Sequence, residues 1–202
     1  MGMGFVISDR HMIHLKSILK TITEARLIFE SPLKISALNI SQFEDPDNNF
    51  AYTTILKEKA KIIDKYDNYD IYQFIIKNQV FDVVVDKEFT VAYFNYDIKD
   101  NFMVERKVWQ DPLHISLCRK MLFEYYLKKF RGIISDGTHS FLGERYWNKL
   151  LKQAMDSGYK TYVLKDETEK IPLKSVEDIG KYFLYGSEGL RYRFMIENAT
   201  SS

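Results

Sequence analysis

Apolar residues along the first part of the chain recur in a helical pattern. Met12, Leu15, Leu19 and Ile22 stand at intervals of three and four after Ser8 and Asp9, predicting a capped helix to about Ala25. Leu27–Phe29 and Ile35–Ile40 read as short strands split by Ser31 and Pro32, and Glu44–Asn49 as a polar turn. A second helix is expected over Ile55–Asp64, while the pattern of Ile71–Ile76 fits a short helix and a buried strand equally. From Val80 onward Phe81–Val85, Phe89–Tyr96 and Phe102–Trp109 are β-branched and aromatic runs separated by Asp86-Lys87-Glu88 and by 97–101, the pattern of an antiparallel meander.

Asp111 followed by Pro112 reads as a helix start, with Leu113, Leu117, Met121, Leu122 and Tyr125 as the buried face. Arg131–Asp136 is a short apolar-centred strand, and Ser140 is placed to cap a helix carrying Leu142, Tyr146, Trp147, Leu150, Leu151, Ala154 and Met155. Gly158 ends that helix in the left-handed position, and Tyr159–Leu164 follows as a strand. A charged connector is expected over Lys165–Lys174, then a short helix near Val176–Tyr182, glycines at Gly186 and Gly189, and a last strand at Arg191–Ile196. Strand, helix, strand, helix, strand from Phe102 implies parallel neighbours, and the preceding meander implies antiparallel ones. The fold class is therefore α/β (α+β), with a mixed, mostly antiparallel sheet of about six or seven strands flanked by helices, in one domain over residues 1–202. Within it residues 1–79 form N-terminal helices and short strands, 80–164 the sheet core, and 165–202 a C-terminal extension.

Composition narrows the function classes. The chain has 202 residues, 46% hydrophobic and 28% charged, with 29 basic against 28 acidic side chains, so no bulk field draws a polyanion and general nucleic-acid binding is disfavoured. One cysteine, Cys118, supports neither an intramolecular disulfide nor a Cys-rich zinc module; its place beside Leu117 suggests a small buried hydrophobe. No apolar run approaches the roughly 20 residues of a membrane span, and the chain reads as a soluble protein of a reducing cytoplasm.

The segment Ile133-Ile134-Ser135-Asp136-Gly137-Thr138-His139-Ser140, followed by Gly143, Tyr146-Trp147 and Leu150, resembles the strand-to-helix segment of GNAT-like proteins common in bacteriophage genomes. Together with the element order, the resemblance spans about Val80–Leu164. It implies an acyl-CoA site where the strand around Phe102–Trp109 splays from the strand around Ile133–Ser135. The pyrophosphate would then meet Gln110, Asp111, Leu113 and His114. Active acetyltransferases of this fold use a glycine-containing loop there, whose backbone N–H groups close around phosphate. Here Val108-Trp109-Gln110-Asp111-Pro112-Leu113-His114 holds no glycine, Asp111 sets a negative charge where an anion would sit, and Pro112 removes a donor.

For catalysis, the resemblance nominates Glu105 as general base through water and Tyr146 as general acid. Each has a plainer reading, Glu105 as an exposed strand carboxylate and Tyr146 as part of the core stripe. Asp136, Gly137, Thr138, His139 and Ser140, at the carboxyl end of an inner strand, form the first-choice ligand or partner loop. They lack the G-x-S-x-G context of a serine hydrolase. His11 and His14 share a helix face without further metal ligands, so no metal site is expected. Two mixed basic and aromatic clusters, Lys120, Lys128, Lys129 and Arg131 with Tyr125, Tyr126 and Phe130, and Arg191–Phe194, fit helix-end charge pairing and packing as well as nucleic-acid stacking. The missing glycine loop favours a non-catalytic, cofactor-free module that binds a protein partner, of phage type, acting on a host factor or within the virion. The alternative is an acetyl-CoA-dependent N-acetyltransferase.

Overall fold

The computed structural model describes residues 44, 46–76, 78–137, 141–182 and 192–198. The elements expected before residue 44, His11 and His14, the 138–140 part of the Asp136 loop, Arg191, Gly186 and Gly189 lie outside the described residues. The architecture is α+β, and the described residues form one mixed sheet of nine strands flanked by helices, more than the expected six or seven.

Helix α1 spans Pro46–Lys59. The polar turn expected at Glu44–Asn49 is instead largely the start of this helix, because Pro46 occupies a first-turn position that needs no N–H donor. Asn49 ties the helix to the sheet, its side chain donating to Thr90 O at 2.8 Å and accepting from Thr90 N at 2.7 Å. The expected helix over Ile55–Asp64 ends at Lys59, and strand β1, Lys61–Tyr66, follows. Its partner is β2, Tyr69–Ile76, with Tyr66 opposite Tyr69, so the ambiguous run at 71–76 resolves as strand. Pairing across a two-residue turn decides both segments, which local periodicity cannot register.

The meander continues as β3, Gln79–Asp86, β4, Phe89–Lys99, and β5, Phe102–Gln110, all antiparallel. Asp100 and Asn101 turn β4 into β5 with φ of 50° and 64°, a left-handed pair that short polar side chains tolerate. Period-two alternation sorts β3 between two cores, with Val80 and Val84 facing one and Phe81, Val83 and Val85 the other.

Helix α2 runs as Leu117–Met121 in α form, Leu122–Tyr126 in π form and Leu127–Lys129 in α form. It packs with α3, Phe141–Asp156, in the larger core, whereas α1 contributes Tyr52 and Leu56 to the smaller one. The π segment buries both Tyr125 and Tyr126 and aims the Tyr126 hydroxyl at buried Asp82, which also accepts from Tyr96 and Gln73. Gly158 closes α3 with φ 78°.

Strand β6, Gly132–Ile134, is parallel to β5. The parallel neighbour expected for it, β7 (Lys160–Lys165), is displaced by β9 (Tyr192–Glu197), which lies between the two and is antiparallel to both. The last strand thus fills a slot that the order of elements does not reveal. The presumed connector at 165–174 contains β8, Glu169–Pro172, which pairs with β7, and the short helix α4 is Val176–Ile179. Gly132 is required where β5, β6 and β9 crowd together, since a Cβ there would stand 2.4 Å from Ile196 O.

The most instructive departure is at Asp111-Pro112. Asp111 N still donates to Val91 O in the sheet, and residues 111–116 form turns, with His114 N bonded to Asp111 O and Leu117 N to His114 O. The helix begins only at Leu117, after Ser116, whose φ of 71° is left-handed. Leu113, expected on the buried face, is 88% exposed.

Candidate functional site

Strands β5 and β6 pair over three residues only, Phe102 with Gly132, Met103 with Ile133 and Val104 with Ile134. Beyond that point β5 continues to Gln110, while the chain after β6 follows β9 instead. Ser135 N donates to Phe194 O at 2.8 Å, and Phe194 N donates to Ser135 Oγ at 2.8 Å. The strands part, and a cleft of about 690 Å³ opens between the free half of β5, the start of α2 and the first turns of α3.

Glu105, the first β5 residue past the paired stretch, lines this cleft and is only 5% exposed. The exposed-carboxylate reading is thereby overturned. Ordinary alternation sets it on the face of buried Met103, and a bulge follows it: Tyr96 faces Glu105 and Asn95 faces Lys107, leaving Arg106 as the extra residue. Glu105 and Val108 thus share one face of the sheet although three positions apart. Trp147 Nε1 donates to Glu105 Oε2 at 2.8 Å, and the Tyr146 hydroxyl donates to Oε1 at a long 3.4 Å. Burial pushes the Glu105 carboxyl up to about 7, against the pull of the two α3 donors and with a small push from the charge of Asp136. Burial, and then the neighbouring carboxylate, hold the Tyr146 phenol well above its ordinary value, so it keeps its proton at neutral pH. Tyr146 packs against the larger core, as its place in the helical stripe leads one to expect, and also lines the cleft.

Of the expected phosphate contacts, only Gln110 lines the cleft, and its Oε1 accepts from Cys118 N at 3.1 Å. Asp111 Oδ1 accepts from Leu113 N at 2.7 Å, which uses a donor a bound anion would need. His114 turns away, its ring edge-on to Tyr69 at 5.9 Å and Nε2 4.0 Å from Asp86. Asp136 also lines the cleft and holds Gly137 N through Oδ1 at 2.6 Å. Cys118 is buried, donates to Trp109 O at 3.3 Å, and has a thiol pushed well up, chiefly by burial, which suits packing and not nucleophilic attack.

Positive charge dominates the lining. Arg106, Lys107, Arg119, Arg145 and Lys149 face Glu105 and Asp136 among the described residues, with Trp109 and Ile115 adding apolar wall. Sequence reasoning missed these cations, although Arg145 and Lys149 stand one turn apart on α3. The basic and aromatic clusters are largely consumed internally. Lys129 bonds Asp64 at 2.8 Å, Arg131 bonds Glu197 at 2.8 Å and Arg193 bonds Glu167 at 2.8 Å.

Among the described residues no group of His, Cys, Asp and Glu is arranged to hold a metal, and no helix is long and apolar enough to cross a membrane. No family model and no curated protein sequence matches the chain. Among solved structures it is similar to a protein described as an acetyltransferase of the GNAT family from Bacteroides thetaiotaomicron, at 14% identity and a TM-score of 0.33. That similarity covers 61% of this chain and 64% of the other, so the chain spans less than two thirds of that protein's length.

Proposed function

We propose that the chain is a GNAT-like acyl-CoA-dependent N-acyltransferase whose reaction takes place in the cleft between β5 and α3. The observation that carries this reading is Glu105, a carboxyl buried at the point where the strands part, with a pKa of about 7 and a protonated tyrosine beside it. A base of that strength is half ionised at neutral pH, the range in which general-base catalysis is most effective. In this scheme the acceptor amine loses a proton to Glu105, directly or through one water, as its nitrogen attacks the thioester carbonyl. The C–S bond would then break, the leaving sulfur taking a proton from Tyr146, which would recover one from Glu105 through their hydrogen bond. Atoms balance as an amide plus free coenzyme A thiol. The cofactor is acetyl-CoA or a related thioester.

Isothermal titration with acetyl-CoA, followed by thiol-release assays against a panel of amines, tests the reading. Binding in the micromolar range, with turnover lost in Glu105→Gln and reduced in Tyr146→Phe, is the expected result. Absence of acetyl-CoA binding at 1 mM, about the −4 kcal/mol level, overturns it.

The committed turn at 111–114 favours a second reading, a non-catalytic module of phage type that holds a protein partner in the host cytoplasm or within the virion. Leu113 and Ile115, 88% and 81% exposed, the second of them also lining the cleft, supply the apolar surface for such a contact. Co-purification of one protein in fixed stoichiometry, lost in Leu113→Asp, combined with no response to acetyl-CoA, selects this alternative.

A further inference from the structure

The turn that would ordinarily cradle phosphate is occupied by its own hydrogen bonds, yet the cleft is cationic. Arg119, in the first turn of α2, is partly buried and lines the cleft. Its Nη1 donates to Gln153 Oε1 at 2.7 Å and its Nη2 to Ser116 Oγ at 3.1 Å. Both acceptors are neutral. By contrast, the neighbouring Arg106 is neutralised by Asp97 at 2.5 Å. A guanidinium held in place by an amide and a hydroxyl keeps its full charge while losing its rotational freedom, which is the preorganised state that anion recognition needs.

Ser116 shapes the brace. It adopts φ 71° and ψ 4°, a left-handed conformation that is unfavourable for a residue with a Cβ and that recurs where a site demands a particular side-chain direction. Here that conformation accompanies a hydroxyl bonded to Arg119. Gln153, from the far end of α3, completes the brace, so two helices fix one cation at the cleft wall. Arg145 and Lys149 line the same cleft from α3.

We propose that Arg119, braced by Gln153 and Ser116 and assisted by Arg145 and Lys149, is the phosphate-recognition group of the cleft, and that the ligand is a nucleotide carrying a pyrophosphate. Side-chain cations thereby replace backbone amides as the phosphate grip. Arg119 contacts the ligand directly by paired N–H···O bonds, and Gln153 is a positioning residue. This assignment deepens the acyl-CoA reading and rests on it for the identity of the nucleotide, but the anion site stands on its own geometry.

Calorimetric titrations of the full chain with inorganic pyrophosphate, ADP and coenzyme A, at two salt concentrations, test the proposal. The expected result is binding of all three, weakened about ten- to a hundredfold in Arg119→Gln, the range of a charge-assisted hydrogen-bond pair. Gln153→Leu should weaken binding less while leaving the salt dependence unchanged, because charge remains and only its placement is lost. Arg119→Lys should recover part of the affinity. Coenzyme A binding that is equal in wild type and Arg119→Gln overturns the proposal and leaves the acyl-CoA reading standing. Pyrophosphate and ADP binding without coenzyme A binding upholds the anion site and sinks the acyl-CoA reading, and binding of none overturns both. Should Arg119→Gln fail to fold, Lys149→Gln and Gln153→Leu decide, and unchanged affinity in both overturns the proposal.

Discussion

Replacing Glu105 by Gln tests the electrostatics of the cleft without reference to any ligand. Gln keeps the length of the side chain and an oxygen for the Trp147 N–H but cannot ionise. In the folded protein burial raises the Glu105 carboxyl from an ordinary 4.5 to about 7, so between these values the folded chain holds a proton that the unfolded chain has released. Stability therefore falls as pH rises from about 4.5 to 7 and is level on either side, the opposite of a salt-bridged carboxylate. A factor of ten in proton affinity is worth about 1.4 kcal/mol, so the ionised form above pH 7 costs the fold about 3 kcal/mol relative to the neutral one. Because Glu105 is 5% exposed, solvent screening takes little from that figure. Urea denaturation of wild type and variant at pH 5 and pH 8 provides the assay, and taking the difference at each pH cancels every other titrating group. The variant should be close to wild type at pH 5 and about 3 kcal/mol more stable at pH 8, or roughly 6–12 °C in melting temperature for a domain of this size. A difference that stays constant between the two pH values would refute the argument that burial of this carboxyl drives its protonation.

Further predictions concern the frame around the site. Trp147 fluorescence, read in a Trp109→Phe background, should titrate with a midpoint near pH 7, because its indole N–H bonds Glu105 at 2.8 Å; a flat profile through pH 5–9 would contradict that contact. Gly132→Ala should cost about 1–3 kcal/mol in denaturant titrations, since the added Cβ meets Ile196 O and the Phe102 ring, at 2.4 and 2.7 Å, and the backbone oxygen cannot swing aside. Asp82→Ala strands the buried hydroxyls of Tyr96 and Tyr126, at about 1–3 kcal/mol each, and its unfolding midpoint should drop accordingly. Burial pushes the Glu197 carboxyl up, but Lys170 and Arg131 outweigh it and hold it below its ordinary value, so its contribution is present above about pH 4.5 and lost as pH falls further. Glu197→Gln should therefore remove part of the acid sensitivity of unfolding between pH 5 and pH 3, measured by circular dichroism.

What was legible in the sequence were the segments whose local pattern suffices. The runs at 81–85, 89–96 and 102–109 are strands because alternating β-branched and aromatic residues fit a pleated surface, and α3 is a helix because Trp147, Leu150, Leu151 and Ala154 fall on one face. The resemblance nominated Glu105 and Tyr146 separately, and strand alternation sets Glu105 on the face of buried Met103, but that the two side chains meet was not legible. The sequence could not show that Leu113 stands in solvent, since Asp-Pro satisfies the local rules of a helix start and only the continued pairing of β5 with β4, through Asp111 N to Val91 O, postpones the helix to Leu117. Nor could it show β9 lying between β6 and β7, because a sheet order is a set of long-range hydrogen bonds with no local signature. The cleft belongs to this second class. It exists because β6 turns toward β9 at Ser135 while β5 runs on, and Glu105, at that point, is covered from α3 by Tyr146 and Trp147. Local pattern thus determined the strands of the central meander and α3 with the faces they bury, but not β1, β2, β8 or where α2 begins. Tertiary structure alone decided where two strands part, what charge surrounds the opening, and how far a carboxyl is removed from water, since burial and charge depend on distances between segments remote in the chain.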